Sequence, residues 1–482
     1  MKIFKRLPGG NDSFRDCFAW MLIVVVVSAF VSLFLSFQAG AWLLFFLIVA
    51  WWVWEHPEEG FLLFIVIAPL LPMLKITQTI GTVTLVKDVI ILTLFLKLFL
   101  VPLALKRLPY RRNVLFAPVA ALLPWTALEM VRADSLILGV LRARDIGLYV
   151  MLYFAVLYLP TTSQILRRRM KWFMASLIVV LILGVYQWFW AVDSTVLRFD
   201  PAREIWIPRI SSIMAHPSIL GQYLVAAAVL LVASTVYITS LRQRILLGGL
   251  FVVTLPFIFL TYSRAVWIGL VVALGAMVVM LTIQILVSRT KNNLWKYISF
   301  GGVGLILLLV VMLKFTPAGV FLRSAIDPTY ASNEARLEFM ARLIAPMTNG
   351  EALFGRGLGD VLAQNFRETD LEVYDIATGS SRAVQLTKNS TLVDNQHLKT
   401  FVEMGLAGVL IYAWMYWRLA KATFKTQNAK FKIQNVINLW AMGFLAAFVI
   451  QGFFIDIWDI FPTNAAFWIV AALVSGAALD ET

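Results

Sequence analysis

Two arginines lie beside strongly apolar sequence, where a guanidinium group could bind an anion. Arg264 lies within FIFLTYSRAVWIGLVV, and Arg209 begins RISSIMAHPSILGQYL, where a helix is expected to start at Pro217. A charged side chain that faces lipid is costly, so each arginine must face a cavity, a partner or the interface. The planar guanidinium suits bidentate contact with phosphate. Either arginine could instead be an interfacial anchor that reaches the lipid headgroups. We expect His216 to have a structural role at the helix start.

A carboxylate and an imidazole at the start of a later predicted helix could act together as a general base. Asp394 and His397 lie three residues apart in DNQHLKTFVEMGLAGVL, so in a helical first turn they share one face. The carboxylate could orient the imidazole or raise its basicity. Asp394 could equally cap the helix, with Glu403 further along it and paired with an arginine. The residues alone leave both interpretations open.

Neither a metal site nor a nucleotide site is predicted. The chain has three scattered histidines, the single cysteine Cys17 and no dense carboxylate cluster. The G-x-G-x-G pattern in FGRGLGD follows no strand signal, so it does not indicate nucleotide binding. We therefore expect no metal and no cofactor.

The composition indicates the elements that must position these residues. The chain has 482 residues, of which 61% are hydrophobic and 14% charged, whereas a soluble domain is roughly half apolar and about a quarter charged. The lipid bilayer must therefore surround much of the chain. The net charge of +14 comes largely from short basic loops, as in cytoplasmic loops of membrane proteins, and a nucleic-acid partner is not expected. The basic loops contain Lys106, Arg107, Arg111 and Arg112; Arg167, Arg168, Arg169 and Lys171; Arg289, Lys291 and Lys296; and Arg418, Lys421, Lys425, Lys430 and Lys432.

Apolar runs of the length needed to span a bilayer, about 20 residues, recur along the chain. They predict an all-α polytopic helix bundle of about 12–14 transmembrane helices, with both termini cytoplasmic. The runs lie near 17–36, 39–54, 60–74, 83–104, 114–131, 143–160, 172–192, 217–238, 245–261, 265–287, 297–315, 394–417, 434–455 and 461–479. The two short runs, 39–54 and 60–74, could be half-helices or one hairpin. Within one of the helices, we expect Asp88 to form a hydrogen bond or ion pair with another helix.

One predicted outer loop, residues 316–393, is long, mixed in charge and rich in glycine. Loops of this kind are usually functional, and EARLEFMARLIAPM has the apolar spacing of a helix. We therefore divide the chain into an N-terminal transmembrane bundle (1–192), a central transmembrane region with arginine-bearing outer loops (193–315), this partly helical extracytoplasmic loop (316–393) and C-terminal transmembrane helices (394–482).

Four segments in order resemble the superfamily of O-antigen ligases and O-antigen polymerases. RISSIMAHPSILGQYL resembles the segment after its central outer loop, and TYSRAVWIGL is similar to its T-x-S-R-x-x-W-x-x-L motif. EARLEFMARLIAPMTNGEALFGRGLGD is similar to its arginine-led helix followed by L-F-G-x-G-x-G, and DNQHLKTFVEMGLAGVL resembles its [H/D]-N-x-Y-L…E-x-G-L-x-G stretch. The matches span roughly residues 200–415, and four in order are more specific than any one.

The resemblance implies a GT-C-like, metal-independent glycosyltransferase in the bacterial inner membrane, with an extracytoplasmic active site. Its donor would be a polyprenyl-pyrophosphate-linked oligosaccharide and its acceptor a glycan hydroxyl. A chain-length regulator could be a further partner. Three arginines would bind the pyrophosphate: Arg209, Arg264 and, from the long loop, Arg336. Asp394 or His397 would be the base, and Glu403 a supporting group.

The departures from the family pattern bear on which reaction is expected. Asp394 stands where ligases carry histidine, and His397 stands where tyrosine is usual. The aspartate favours a polymerase of surface-polysaccharide repeat units. The alternatives are an O-antigen ligase or O-oligosaccharyltransferase that moves the glycan to lipid A core or protein, and a flippase or transporter of lipid-linked sugars. A transporter should hold charges at mid-membrane depth and show internal repeats, so the enzyme is favoured.

Overall fold

The fold is a helix bundle with one small hairpin. A computed structural model describes residues 28, 36–72, 85–109, 113–191, 196–200, 205–214, 216–238, 240–288, 331–361, 395–425 and 432–477. The helices, numbered in chain order, are α1 (Phe37–Glu55), α2 (Pro57–Ile67), α3 (Leu85–Phe95), α4 (Val101–Ala104), α5 (Phe116–Val131), α6 (Leu136–Tyr158), α7 (Ser163–Trp190), α8 (Pro217–Tyr237), α9 (Leu241–Leu260), α10 (Arg264–Ser288), α11 (Ala331–Ile344), α12 (Asn349–Phe354), α13 (Gln396–Lys425), α14 (Lys432–Gln451) and α15 (Thr463–Ala477). A π-helical turn, Leu96–Leu100, joins α3 to α4.

The polytopic all-α prediction is confirmed. Seven of the described helices are long and apolar enough to cross a membrane, and α5 and α15 include shorter apolar helices. Of the two short runs, α1 is one of the seven, whereas α2 ends after 11 residues. The predicted spans at 17–36 and 297–315 lie almost wholly outside the described residues, so the count of 12–14 stays a prediction.

The segment before α8 contains a hairpin that the all-α interpretation did not predict. Strands β1 (Val196–Asp200) and β2 (Ile205–Arg209) pair antiparallel, with Val196 opposite Arg209. The alternating β-branched and aromatic residues of IWIPR favour an extended chain. Arg209 is the last residue of β2, and α8 begins eight residues later at Pro217.

Helix α8 is the centre of the bundle, with most of its residues buried. It packs against α9, α10 and α14, and α10 packs closely on α14. A Cβ atom added at Gly221 would lie 2.5 Å from the Val266 side chain, so glycine permits the close approach of α8 to α10. In the other half, α6 packs against α3, α5 and α15. The ion pair of Asp88 with Arg144 joins α3 to α6 and confirms the expected role of Asp88.

The basic residues Arg167, Arg168, Arg169 and Lys171 lie near the start of α7, not in a loop as predicted, and we call this end of the bundle the basic end. There Arg169 forms a bidentate pair with Glu58, its Nε and Nη2 lying 3.0 and 2.5 Å from the carboxylate oxygens. Arg168 pairs with Glu59 at 3.2 Å. The acidic residues in the first turn of α2 thus lie beside arginines of α7, so they are compatible with the predicted orientation.

Candidate active site

The four motif segments converge at the opposite end of the bundle, which we call the motif end. There α8, α10 and α13 begin and α14 ends. The Ile210 N–H donates to the Leu260 carbonyl at 3.0 Å, which joins the first two segments, and the Gln396 N–H donates to the Gly452 carbonyl at 2.8 Å, which joins the start of α13 to the end of α14. Helix α14 in turn packs closely on α10. Motifs that are far apart in sequence therefore share one end of the fold.

The two predicted anion-binding arginines lie in adjoining segments. Arg209 Nε donates to the Thr261 carbonyl at 2.8 Å, three residues before Arg264 begins α10. The two residues are 9% and 8% exposed. Ser218 Oγ and Ser263 Oγ, 3.4 Å apart, join the same two motifs. The structure therefore brings these arginine motifs together without exposing the charges widely.

Helix α7 fixes the chain that follows Arg209. Gln187 Oε1 accepts hydrogen bonds from the backbone N–H groups of Ser211 and Ser212, at 3.0 and 2.6 Å. Ser212 has a φ of 52°, so this turn includes a left-handed residue. A side-chain amide that accepts two backbone donors stabilises such a turn. Arg209 thus lies between two fixed segments, with the rest of β2 before it and this turn after it.

His216 has the structural role expected from the sequence. Its Nδ1 accepts a hydrogen bond from the Ser218 backbone N–H at 3.2 Å, so the imidazole caps α8. Although the residue is exposed, desolvation by the surrounding protein and then the charge of Arg209 lower its pKa to about 4. The neutral ring can accept the capping hydrogen bond at neutral pH.

A buried ionic cluster lies where α6, α13 and the turn between α14 and α15 meet; we call it the Arg142 cluster. Arg142 pairs with Glu403 at 3.1 Å and with Asp459, and Lys399 pairs with Asp456 at 2.7 Å and with Asp459. Arg142, Lys399 and Glu403 are less than a tenth exposed. Buried charges are tolerated only when they are paired and hydrogen-bonded. The cluster therefore joins three elements by charges that depend on one another.

The turn between α14 and α15 is fixed onto the first turns of α13. Gln396 Oε1 accepts a hydrogen bond from the Trp458 backbone N–H at 2.9 Å, and Asn464 donates to the Trp458 carbonyl at 2.5 Å. A small polar cavity lies against this turn, lined by Arg142, Gln396, Thr400, Glu403, Trp458 and Asp459 among others. Acidic, amide and aromatic side chains in one cavity are a surface to which sugar hydroxyl groups can hydrogen-bond.

The glycine-rich segment 355–359 holds Glu403 in place. The backbone N–H groups of Arg356 and Gly357 donate to the carbonyls of Val402 and Glu403, and Gly359 N–H donates to Glu403 Oε1 at 3.2 Å. Gly355 has a φ of 92°, and a Cβ atom there would lie 2.5 Å from the Glu403 carbonyl oxygen. The FGRGLGD pattern is thus a backbone clasp that contacts α13 at Val402 and Glu403.

The remaining predicted site residues are described to different extents. His397 Nε2 lies 3.0 Å from the Val449 carbonyl oxygen, and its ring is 4.4 Å from that of Phe453. Glu403 is paired with an arginine, as the structural interpretation expected. Asp394 and the Arg336 side chain lie outside the part of the chain that is described. Among the described residues, no group of three or more His, Cys, Asp or Glu side chains is placed to hold a metal ion.

Sequence reasoning missed three other members of the Arg142 cluster, to which Glu403 belongs. Arg142 lies in LRARDIG, and Asp456 and Asp459 lie in FIDIWDIFP, short charged groups inside apolar runs. Charges in such positions indicate interior contacts because lipid-facing charges are costly. That signal was present, but it does not identify which charges pair.

A comparison with protein families finds a match that covers part of this site. The model of the O-antigen ligase family matches residues 249–413, a segment shorter than half of the chain that contains Arg264, the glycine clasp and the start of α13. No curated protein matches the chain significantly. The family implies lipid-linked oligosaccharide and acceptor substrates in a membrane, and a role in envelope polysaccharide biosynthesis. Over residues 249–413 the chain thus matches the O-antigen ligase family, which confirms its resemblance to the O-antigen ligase and polymerase superfamily.

Proposed function

We propose that the protein is a metal-independent glycosyltransferase that polymerises repeat units of a surface polysaccharide on the outer face of the bacterial cytoplasmic membrane. Its donor is a glycan on polyprenyl pyrophosphate and its acceptor is a sugar hydroxyl. The observation that carries this proposal is the convergence of the Arg209 and Arg264 motifs beside the start of α13, where Arg209 Nε lies 2.8 Å from the Thr261 carbonyl oxygen.

The reaction needs stabilisation of negative charge and removal of one proton. The acceptor oxygen attacks the anomeric carbon of the donor, the bond from that carbon to the pyrophosphate oxygen breaks, and the polyprenyl pyrophosphate leaves with the electron pair. Arg209 and Arg264, with Arg336 from the long loop, bind the pyrophosphate and stabilise the charge that develops on it. Cations held in place by buried backbone contacts need little rearrangement during the reaction.

The base is Asp394 or His397, and Glu403 supports it. Because the Val449 carbonyl can only accept a hydrogen bond, the neutral His397 ring donates from Nε2 and keeps its lone pair on Nδ1. That nitrogen could take the proton of the acceptor hydroxyl directly or be oriented by Asp394. Glu403 acts on the site through Arg142 and Gly359.

An in-vitro transfer assay tests the reaction class. Purified protein is mixed with a synthetic polyprenyl-pyrophosphate oligosaccharide and EDTA, and the products are analysed by mass spectrometry. Longer lipid-linked glycans support the polymerase. Transfer only to added lipid A core or protein indicates a ligase or O-oligosaccharyltransferase. An unchanged glycan that becomes protected inside liposomes contradicts the enzyme and indicates a transporter.

Replacement of Arg264 tests the pyrophosphate site. We expect Arg264→Gln to lower the transfer rate by about 100–1,000-fold, the usual effect of losing one charge-stabilising donor. The matched control is Arg242→Gln, because Arg242 is an exposed arginine near the start of α9, at the other end of that helix from the site. Near-normal transfer by Arg264→Gln at equal membrane levels would contradict the role of this arginine.

A further inference from the structure

A large apolar cavity lies among α2, α7, α8, α14 and α15, away from the polar cavity of the motif end. Its volume is about 100 Å³, several times the roughly 10–15 Å³ that a single water molecule needs. Its wall on α15 runs from Thr463 to Leu473, which at 1.5 Å per residue is about 15 Å. Half of a hydrocarbon core about 30 Å thick is the same length, so the cavity is as deep as one leaflet.

Two buried polar side chains line this largely apolar cavity, and each has a donor atom with no hydrogen-bond partner among the residues that the structure describes. They are Arg169 Nη1 and Gln222 Nε2, on residues that are 5% and 2% exposed. Arg169 uses Nε and Nη2 for Glu58 and also donates to the Pro160 carbonyl, whereas Gln222 accepts from Thr463. A buried donor without a partner is costly, and more so on a charged group. A ligand that places a hydrogen-bond acceptor at either atom would therefore bind favourably.

The charges favour the Arg169 side of the cavity for a polar headgroup. Arg169 is at the basic end, and Arg167, Arg168 and Lys171 are exposed around it. Within the described part of the chain, Glu59 pairs with Arg168 and Glu58 with Arg169, so these four cations outnumber the two carboxylates and an anionic group is attracted there. At the other end of the cavity, Gln222 is neutral and attracts an anion less strongly.

We infer that this cavity binds one acyl chain of an anionic glycerophospholipid from the leaflet at the basic end, with a phosphate or ester oxygen accepting from Arg169 Nη1. The chain extends toward Gln222 between the aromatic side chains of Phe61, Phe173 and Trp440. Burial of the chain is favourable because the wall is apolar, and the charge-assisted hydrogen bond at Arg169 sets its direction. This lipid site is separate from the proposed transfer reaction.

Photo-cross-linking of the purified protein tests the site. The probe is phosphatidylglycerol with a diazirine on its acyl chain, in mixed micelles, and cross-linked peptides are mapped by mass spectrometry. We expect labelling at the cavity residues, for example Phe173 and Trp440. Arg169→Gln should reduce it about tenfold, since loss of one charge-assisted hydrogen bond has roughly that effect on an equilibrium constant. The matched control Arg168→Gln, the neighbouring exposed arginine, should leave the labelling unchanged.

Further variants keep the test decisive if Arg169→Gln fails to fold. Ala466→Leu adds volume to the cavity wall without changing any charge and should also reduce labelling, whereas Ala413→Leu on the exposed face of α13 should not. Gln222→Leu should preserve labelling because it removes an unpartnered donor from an apolar wall.

Three results would overturn the inference. Equal labelling of Arg169→Gln and Arg168→Gln would remove the role of Arg169. Loss of labelling in Gln222→Leu alone would reverse the direction of the lipid. Labelling by a diazirine polyprenyl phosphate in preference to phosphatidylglycerol would assign the cavity to the isoprenoid chain of the donor.

Discussion

The two ends of the bundle hold their charges in different ways. At the motif end, Arg142 and Glu403 are 11% and 2% exposed at their side chains and lie on different helices, 261 residues apart in the chain. At the basic end, Arg168 and Glu59 are 48% and 41% exposed. The buried pair depends on the geometry of several elements, whereas the exposed pair joins two side chains that are nearly half open to their surroundings.

The two ends therefore illustrate two roles of charged residues. Exposed charges set the orientation of a membrane protein, whereas buried charges hold the elements of a site together. Exposed basic loops act through their number and sidedness, so individual residues are replaceable. The Arg142 cluster contains three carboxylates and two cations, and Glu403 and both cations, Arg142 and Lys399, are less than a tenth exposed. Removing one member leaves other charges buried without that partner, and this lowers the free energy of unfolding.

Replacing one arginine at each end should show the largest difference. We expect Arg142→Met to lower the free energy of unfolding by about 3–5 kcal/mol, the usual cost of breaking a buried pair. Arg168→Met should cost about 0–1 kcal/mol, as exposed pairs do. Thermal unfolding of both variants in the same detergent measures the contrast. Equal losses would show that burial does not distinguish the two ends.

The glycine clasp offers a second test at the motif end. Gly355→Ala should destabilise the protein by more than about 1 kcal/mol, because its φ of 92° disfavours a side chain and its Cβ would meet the Glu403 carbonyl. Gly350→Ala in α12 is the control, since its Cβ would have only Thr348 Oγ1 nearby, at 4.0 Å, and alanine favours a helix. Thermal unfolding compares the two, and a harmless Gly355→Ala would argue against a rigid clasp.

His216 should give the smallest effect, visible only as a dependence on pH. Its pKa of about 4 in the folded protein lies below the ordinary value of 6.5, so the unfolded chain binds the proton first as the pH falls. Stability should therefore be lost progressively from about pH 6.5 down to about pH 4. His216→Asn, which keeps a capping acceptor without titrating there, should flatten this part of the profile of melting temperature against pH. An unchanged profile would exclude His216 as its cause.

The candidate residues of the site could be predicted from single segments of the sequence, but the contacts between distant segments could not. Arg209, Arg264, His397 and Glu403 stand out because each lies in a short motif at a helix start or beside apolar sequence. Their catalytic or binding roles stay predictions. The glycine clasp and the Gln187 contact to the turn after Arg209 were not predictable, because each joins a backbone segment to a distant residue whose position depends on packing.

The sequence by itself determined the membrane class and the helical architecture, because the hydropathy of a segment decides whether lipid or water surrounds it. It also located the clusters of basic residues, although those at the start of α7 and the end of α13 lie in helices and not in loops. It also indicated the residues that could carry chemistry. Only the tertiary structure decided that Arg142 pairs with Glu403 and Asp459, the latter 317 residues away, and that Arg169 and Gln222 line one apolar cavity. These contacts depend on which helices pack against each other. A periodic pattern of apolar residues shows which side of a helix is buried, but not which helix covers that side.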